Sequence, residues 1–336
     1  MHGATIHTFR AFTRRIFRDC ARTCGIVCMP LLAAALASCS LDDDRDLCCD
    51  PSEGTLMNYR YLYLDKDVFP QYIKDMDHYL FDSEGNFMER LAPGADLQKQ
   101  DLHLAPGTYT MVSIGNRDGR QSMEGHAEEG LSGFVLRARS QNEMRSGDDG
   151  EEEKGEEFHI GELYGGFCRF TVHGNRFETF LTDMSNIHCQ LDMRVVWETA
   201  APTGNFKIEL ANVPSHYILD YDRKNTYNGY DFPADRGMRD SYSVTVPQMH
   251  QQLETTFVTL RYTSWCVPTV KIFNDTGQQI TPDIDLERAF QSWGWIPENM
   301  TVQHYRIIIE IRANGSVLVR PWMDGNVLDW VLGEIF

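Results

Sequence analysis

The sequence predicts an all-β fold made of two antiparallel β-sandwich domains with little helix. Short segments of alternating apolar and polar residues recur along the chain, and turn-forming residues separate them. These segments are rich in Tyr, Phe, Val, Ile and Thr, which suit half-buried strands. The chain has 336 residues, more than a single hydrophobic core usually holds, so two domains are expected. Many strands at short spacing with few helices between them favour sandwiches over a parallel sheet.

Residues 1–38 have the composition of an export peptide. Five Arg residues precede an apolar run over residues 26–37, and Leu36-Ala37-Ser38 stand directly before Cys39. That run is about a dozen residues long, against the roughly 20 that cross a bilayer as a helix. Small residues followed by Cys resemble the lipobox of bacterial lipoproteins, in which the Cys becomes a lipid-carrying N-terminus. We therefore expect lipidation at Cys39, with an ordinary secretory peptide as the alternative.

Charge limits the ligands of the exported chain. Removal of residues 1–38 takes away five Arg and one Asp, which leaves 26 basic and 48 acidic residues and a formal net charge of −22. Such a surface repels nucleic acid and anionic lipid, so neither is an expected partner. Residues 39–54 are predicted to be an acidic tether. Its Asp42-Asp43-Asp44 resembles the tag that sends some lipoproteins to the outer leaflet of the outer membrane.

The first domain is predicted over residues 55–174. The expected strands are 56–63, 78–81, 87–90, 101–104, 108–114 and 166–172. Asp82 to Asn86 form a good hairpin turn in which Gly85 supplies a positive φ, and Gly107 after Pro106 suits a type II turn. A helical turn is expected near Pro70. Residues 140–157 are predicted to be a mobile acidic loop, because they have little to bury and their contiguous acids lack the spaced ligands of a calcium loop.

The second domain is predicted over residues 175–336. Its expected strands are 188–197, 206–210, 242–246, 255–262, 269–273, 305–311 and 316–320. A helix is predicted over Leu286–Trp293, capped by Asp283 or Asp285 and ended by Gly294. The apolar tail 326–336 has two interpretations: it packs on its own domain, or it is a strand or another element that contacts a partner.

The cysteines give no metal pattern. Five remain after the export peptide and Cys39 are set aside, namely Cys48, Cys49, Cys168, Cys189 and Cys266. An odd number leaves at least one free thiol if the others pair. Cys168 and Cys189 could bridge two strands, but burial as small apolar residues explains them about as well.

No set of residues predicts catalysis, a metal site or a cofactor. The sequence lacks a Gly-x-Ser-x-Gly elbow, a phosphate loop and a His-Glu-x-x-His motif. Asp283 and Asp285 flank a helix start, and Asp220 with Asp222 would serve glycoside hydrolysis only at a suitable spatial separation. The histidines are scattered; they are His173, His188, His216, His250 and His304. We therefore expect a protein that is not an enzyme.

Several segments in order resemble the Mfa- or FimB-type fimbrial anchor lipoproteins of type V pili. They are the lipobox, Cys49 before a Tyr-rich strand, residues 79–87, residues 104–112 with Gly115-Asn116, and residues 163–166. The resemblance implies two consecutive transthyretin-like β-sandwiches. It also implies a lipid-held subunit at the base of a fimbrium, in the outer membrane and at the cell surface, that binds the shaft subunit by strand exchange and can limit fibre length.

A surface lipoprotein that binds glycans is the alternative function. Exposed aromatic rings could stack on sugars, and the candidates are Trp265, Trp293, Trp295, Trp322, Tyr217 and Tyr221. Packing in a sandwich core is the simpler explanation for such residues.

Overall fold

The computed structural model describes residues 54–140, 160–174, 176–219, 239–247, 252–264 and 266–323. Cys39, residues 40–53 of the tether, residues 141–157 of the predicted acidic loop, and the tail 326–336 lie outside the described residues. Gly54, the last residue of the predicted tether, begins the first strand instead. No helix in the described ranges is long and apolar enough to cross a membrane.

Strands dominate the described chain, as the alternating sequence pattern predicts. In chain order they are β1 (Gly54–Arg60), β2 (Leu62–Tyr63), β3 (Lys66–Asp67), β4 (Met76–Phe81), β5 (Phe87–Leu91), β6 (Lys99–Leu102), β7 (Gly107–Gly115), β8 (Gln121–Glu124), β9 (Val135–Ala138), β10 (Tyr164–Val172), β11 (Phe177–Asn186), β12 (His188–Trp197), β13 (Asn205–Pro214), β14 (His216–Ile218), β15 (Arg239–Pro247), β16 (Gln252–Leu260), β17 (Thr269–Phe273), β18 (Ile284–Asp285), β19 (Gln303–Ile311) and β20 (Val317–Pro321).

Helix is sparse in these ranges. The short α1 (Phe69–Tyr72) has Pro near its start, and α2 (Leu286–Trp293) has the predicted bounds. The Asp285 side chain accepts a hydrogen bond from the Arg288 backbone N–H, and Gly294 ends α2 in the left-handed conformation. Two 3-10 helices complete the set, Gly130–Gly133 and Pro297–Asn299.

The first sandwich is a single sheet with two arms, and both arms pair with the same strand, β11. Its strand order is β5-β4-β7-β10-β11-β1-β6. Phe177–Asp183 of β11 pair with β1, whereas Met184–Asn186 pair with β10. Met57 of β1 and Met111 of β7 therefore belong to one buried core between the two arms of the sheet.

The second sandwich has two four-stranded sheets. One has the order β16-β12-β19-β20 and the other β15-β13-β17-β18. Their inner faces share a core that includes Leu191, Ile208, Ile272 and Ile307, each fully buried. Helix α2 packs on this core through Phe290, whose ring centroid lies 4.4 Å from that of Tyr305.

Contacts between the two halves of the chain are extensive. Strand β14, from the second half, pairs with β9, which pairs with β8, in a three-stranded sheet. Tyr79, Phe81 and Phe134 of the first half belong to the same buried cluster as the core of the second sandwich. Strand β4 is consequently buried on both faces, and the described residues form one compact unit.

Four features differ from the expectations or were absent from them. The sheet of the first sandwich extends to Asn186, past the expected boundary at residue 174, because β11 pairs with β1 and, through its last three residues, with β10. Two strand pairs, β1–β11 and β12–β19, are parallel, since long connections separate their members. Gly107 lacks the positive φ of a type II turn because it already begins β7. Strand β11 and the short strands β3, β8, β9, β14 and β18 were not predicted.

Cys168 and Cys189 form no disulfide. Both are free thiols. Cys189 is fully buried on the inner face of β12, and burial raises its pKa well above the ordinary thiol value. The apolar-burial interpretation therefore holds for Cys189.

Candidate functional site

The outer face of the β16-β12-β19-β20 sheet carries a connected set of polar side chains. Alternation along β12 turns Leu191 and Met193 into the core and places Gln190, Asp192 and Arg194 outside. The register sets Asp192 opposite Thr256 of β16 and Arg306 of β19. Strands β12 and β19 are the two inner strands of this sheet, so their paired backbones fix the positions of the outer groups.

Asp192 is the centre of this set. Its carboxylate lies 2.7 Å from His304 Nε2 and accepts hydrogen bonds from the Thr256 hydroxyl at 2.8 Å and the Gln190 amide at 3.0 Å. Partial burial acts to raise the pKa of Asp192, but the hydrogen bonds from its three neighbours outweigh burial and hold the pKa at about 2. Asp192 is therefore an ionised hydrogen-bond acceptor. Sequence reasoning missed it, because an acid on an alternating strand carries no signal of its own.

Trp322 lies beside Asp192 and completes an open cleft. The Arg194 guanidinium carbon is 3.8 Å from the Trp322 ring centroid, and that of Arg306 is 4.4 Å away. The cleft has a volume of about 400 Å³, and Gln190 and Glu254 also line it. The Trp322 ring therefore lies among charged and amide groups of the kind that can hydrogen-bond the hydroxyls of a sugar.

The other aromatic candidates are placed differently. Trp293 and Trp295 pack against Phe290, and their own ring centroids are 4.8 Å apart. Tyr217 packs against the core from β14. Trp265 and Tyr221 lie outside the described residues. Of the predicted rings, Trp322 is therefore the one that lines the cleft beside Asp192.

The scattered histidines and acids have separate structural partners. His173 contacts Glu178, His188 is buried beside Asn186, His216 contacts Ser215, and His304 contacts Asp192. Asp285 caps α2, and Asp283 accepts a hydrogen bond from Gln279. His250, Asp220 and Asp222 lie outside the described residues. Within the described part of the chain, no group of three His, Cys, Asp or Glu side chains could hold a metal ion.

The sequence profile of the fimbrillin-A associated anchor proteins Mfa1 and Mfa2 matches residues 48–327. The chain belongs to this family. Membership supports association with fimbrial subunits and a place at the cell surface. Two turns that carried the resemblance are present in the fold: Gly85 N–H donates to Asp82 O at 3.1 Å, and the Tyr109 hydroxyl donates to Ala105 O at 2.9 Å.

Solved structures share the fold of this anchor-family chain. The fimbrial anchor protein Mfa2 from Porphyromonas gingivalis has a TM-score of 0.54 at 16% identity, over 81% of this chain and 98% of that one. A putative polysaccharide binding protein from Bacteroides thetaiotaomicron has a TM-score of 0.58 at 12% identity, over 81% and 99%. A putative adhesin from the same species has a TM-score of 0.58 at 12% identity, over 82% and 98%. None of the curated protein sequences is significantly similar.

Proposed function

We propose that this chain is a lipoprotein that anchors a surface fimbrium to the outer membrane through a lipid on Cys39. The observation that carries the proposal is the match of the anchor family over residues 48–327, directly behind a lipobox-like segment that ends at Cys39. A short acidic segment then separates the thiol from β1, which begins at Gly54.

Strand exchange with the shaft subunit is the proposed mode of attachment. An open sheet edge gains a row of main-chain hydrogen bonds when a neighbour supplies a strand. Strands β16 and β20 are the ends of one sheet of the second sandwich, and β15 and β18 are the ends of the other. Strand β20 precedes the apolar tail 326–336 by a few residues. This end of the second sandwich is therefore where we place the exchange, which can also limit fibre length.

The lipid attachment is tested by labelling cells with palmitate and comparing wild type with Cys39→Ala. Cys48→Ala is the matched control, because it removes another thiol from the same segment. We expect label in wild type and Cys48→Ala and none in Cys39→Ala, as only the thiol at the cleavage point is acylated. Equal labelling of Cys39→Ala would refute the attachment site.

The cleft beside Trp322 supports a second candidate function, glycan binding. Its combination of a ring, two carboxylates and an amide is the observation that favours it. Retention on a polysaccharide-affinity gel that Trp322→Ala abolishes would support it, and equal retention of both proteins would exclude this cleft.

A further inference from the structure

A short stretch of chain, residues 160–163, joins the second sandwich to strand β10 of the first. We call it the junction segment. The Ile160 N–H donates to Val258 O of β16 at 3.1 Å, and Leu163 stands directly before β10. Ile160 and Leu163 are both fully buried. The two sandwiches are therefore linked by main-chain contacts of this segment as well as by their shared core.

His188 holds the end of the junction segment. It is the first residue of β12 and is 5% exposed, and its Nδ1 accepts a hydrogen bond from the Leu163 N–H at 2.9 Å. The Tyr164 ring meets the imidazole edge-on with centroids 5.6 Å apart, and burial raises the pKa of Tyr164 so that it stays uncharged. A ring nitrogen that accepts a hydrogen bond carries no proton, so the contact with Leu163 requires a neutral imidazole protonated on Nε2.

A second proton on the His188 ring would reverse this contact. Nδ1 would become a donor that faces the Leu163 N–H, which is also a donor. Leu163 O lies 3.0 Å from Nδ1 and could accept the new proton, but it already accepts from the Ile187 N–H at 2.9 Å. The buried Leu163 N–H would then lose its acceptor, which is costly inside a protein. The charged ring therefore does not fit the junction segment in its present position.

The charged groups around the His188 ring act in opposite directions. The Glu162 carboxylate favours the charged ring, whereas Arg261 and His304 disfavour it. Arg261 is fixed beside the ring because its guanidinium donates to Asn186 O at 2.8 Å. Burial is the largest influence, and it lowers the pKa of His188 from its ordinary value. The folded junction consequently binds the second proton less readily than the open chain does.

We propose that the hydrogen bond between His188 and Leu163 is a pH-sensitive switch that holds the junction segment at neutral pH and releases it in acid. The contact is complete above about pH 6.5, where an exposed imidazole is neutral, and it is lost as the pH falls further, because the open segment takes up the proton more readily. Release opens residues 160–163 locally while the strands of both sandwiches stay paired. The switch is separate from the lipid attachment and the fimbrial contacts proposed above.

Hydrogen exchange followed by mass spectrometry measures the opening of the junction segment. The full-length protein is labelled at pH 7 and at pH 5, and the rates are corrected for the intrinsic pH dependence of amide exchange. We expect the protection of peptides that contain Leu163 to fall by up to about tenfold per pH unit below pH 6.5, the limit for uptake of one proton. Peptides from β13 in the second sandwich should stay protected.

His188→Gln removes the titration and keeps an acceptor. The Gln side-chain oxygen can accept from the Leu163 N–H but takes up no proton at these pH values, so the junction segment should stay protected at pH 5. His78→Asn is the matched control, because it changes a buried histidine of the first core, and it should keep the acid response of the junction segment. Should His188→Gln fail to fold, Glu162→Gln removes the carboxylate that favours the charged ring and should move the response to lower pH.

Three results would overturn the proposal. Unchanged protection of the junction segment in wild type between pH 7 and pH 5 would show that proton uptake does not open it. An equal loss in His188→Gln, or an unshifted response in Glu162→Gln, would assign the acid response to another group. Simultaneous loss of protection in β13 would mean that acid unfolds the whole protein rather than the junction segment.

Discussion

His78 is a buried polar residue that makes the stability of the first core depend on pH. Its Nδ1 lies 2.9 Å from the Ser113 hydroxyl and 3.2 Å from the Tyr59 hydroxyl. Burial lowers the pKa of His78 to about 4, against which the charge of Asp77 acts only weakly. The ring is therefore neutral in the folded chain at neutral pH, and its hydrogen bonds stay inside the core.

Acid should destabilise the fold through this residue. The unfolded chain binds the proton near pH 6.5 and the folded chain only near pH 4, so stability is intact above pH 6.5 and falls as pH drops towards 4. The loss is on the order of 3 kcal/mol. Urea unfolding at pH 7 and pH 4 should show a smaller difference for His78→Asn than for wild type. Identical pH dependence in the two proteins would contradict this account.

At the residue scale, the sequence predicts local chemistry better than long-range chemistry. Asp82 and Gly85 form the expected turn, since both act within a few residues of themselves. His78 contacts Ser113 and Tyr59 only when strands far apart in the sequence pair, so no local sequence pattern predicts these contacts. Asp192 was missed for the same reason. The turn at Leu64, where φ is 48°, was missed because Leu is not a typical turn residue.

Helix α2 is the element with the clearest start and stop signals. The Asp285 side chain accepts a hydrogen bond from the Arg288 N–H at 3.2 Å, and Gly294 adopts φ 72°. Leu286 and Phe290 are buried beneath the helix. The capping residues and the apolar face therefore indicate the same helix, and for this reason the bounds of α2 could be predicted from the sequence.

Removal of the N-cap of α2 should lower the free energy of unfolding by about 1 kcal/mol. Asp285→Ala leaves the N–H groups of the first turn without that acceptor, and urea unfolding measures the loss. Asp283→Ala is the control, because Asp283 accepts from the Gln279 side chain at the surface instead. Equal losses in both variants would show that the cap is not the stabilising feature.

Other elements could not be predicted from local pattern. Strands β8, β9 and β14 have three or four residues each, and β14 pairs with a strand about eighty positions earlier in the chain. Short strands of mixed polarity gain their stability from that pairing rather than from their own composition. Strand β11 shows the same limit, since its exposed Phe177 and Leu181 obscure the alternation.

On the scale of the whole molecule, the two sandwiches share a core. Phe81 and Phe134 of the first half have ring centroids 5.2 Å apart, and both belong to the cluster that continues into the second sandwich. The sequence predicted two consecutive sandwiches but could not show this shared packing, because it depends on which face of β4 meets the second half. We expect the halves to unfold together.

Phe81→Ala tests that coupling. All six Trp residues lie at or beyond position 197, so Trp fluorescence reports on the second half alone. Truncation of the buried ring should cost about 3–5 kcal/mol and shift the fluorescence transition and the circular dichroism transition by the same amount. A shift in circular dichroism with unchanged fluorescence would mean that the second sandwich unfolds independently.

The central claim is that a lipid on Cys39 holds a fimbrium to the cell. Its most direct test is the distribution of fimbriae between cells and medium in strains that carry wild type, Cys39→Ala or the control Cys48→Ala, measured by immunoblot of the shaft subunit. The account predicts fimbriae on the cells for wild type and Cys48→Ala, and fimbriae shed into the medium for Cys39→Ala. Fimbriae retained on Cys39→Ala cells at the wild-type level would contradict it.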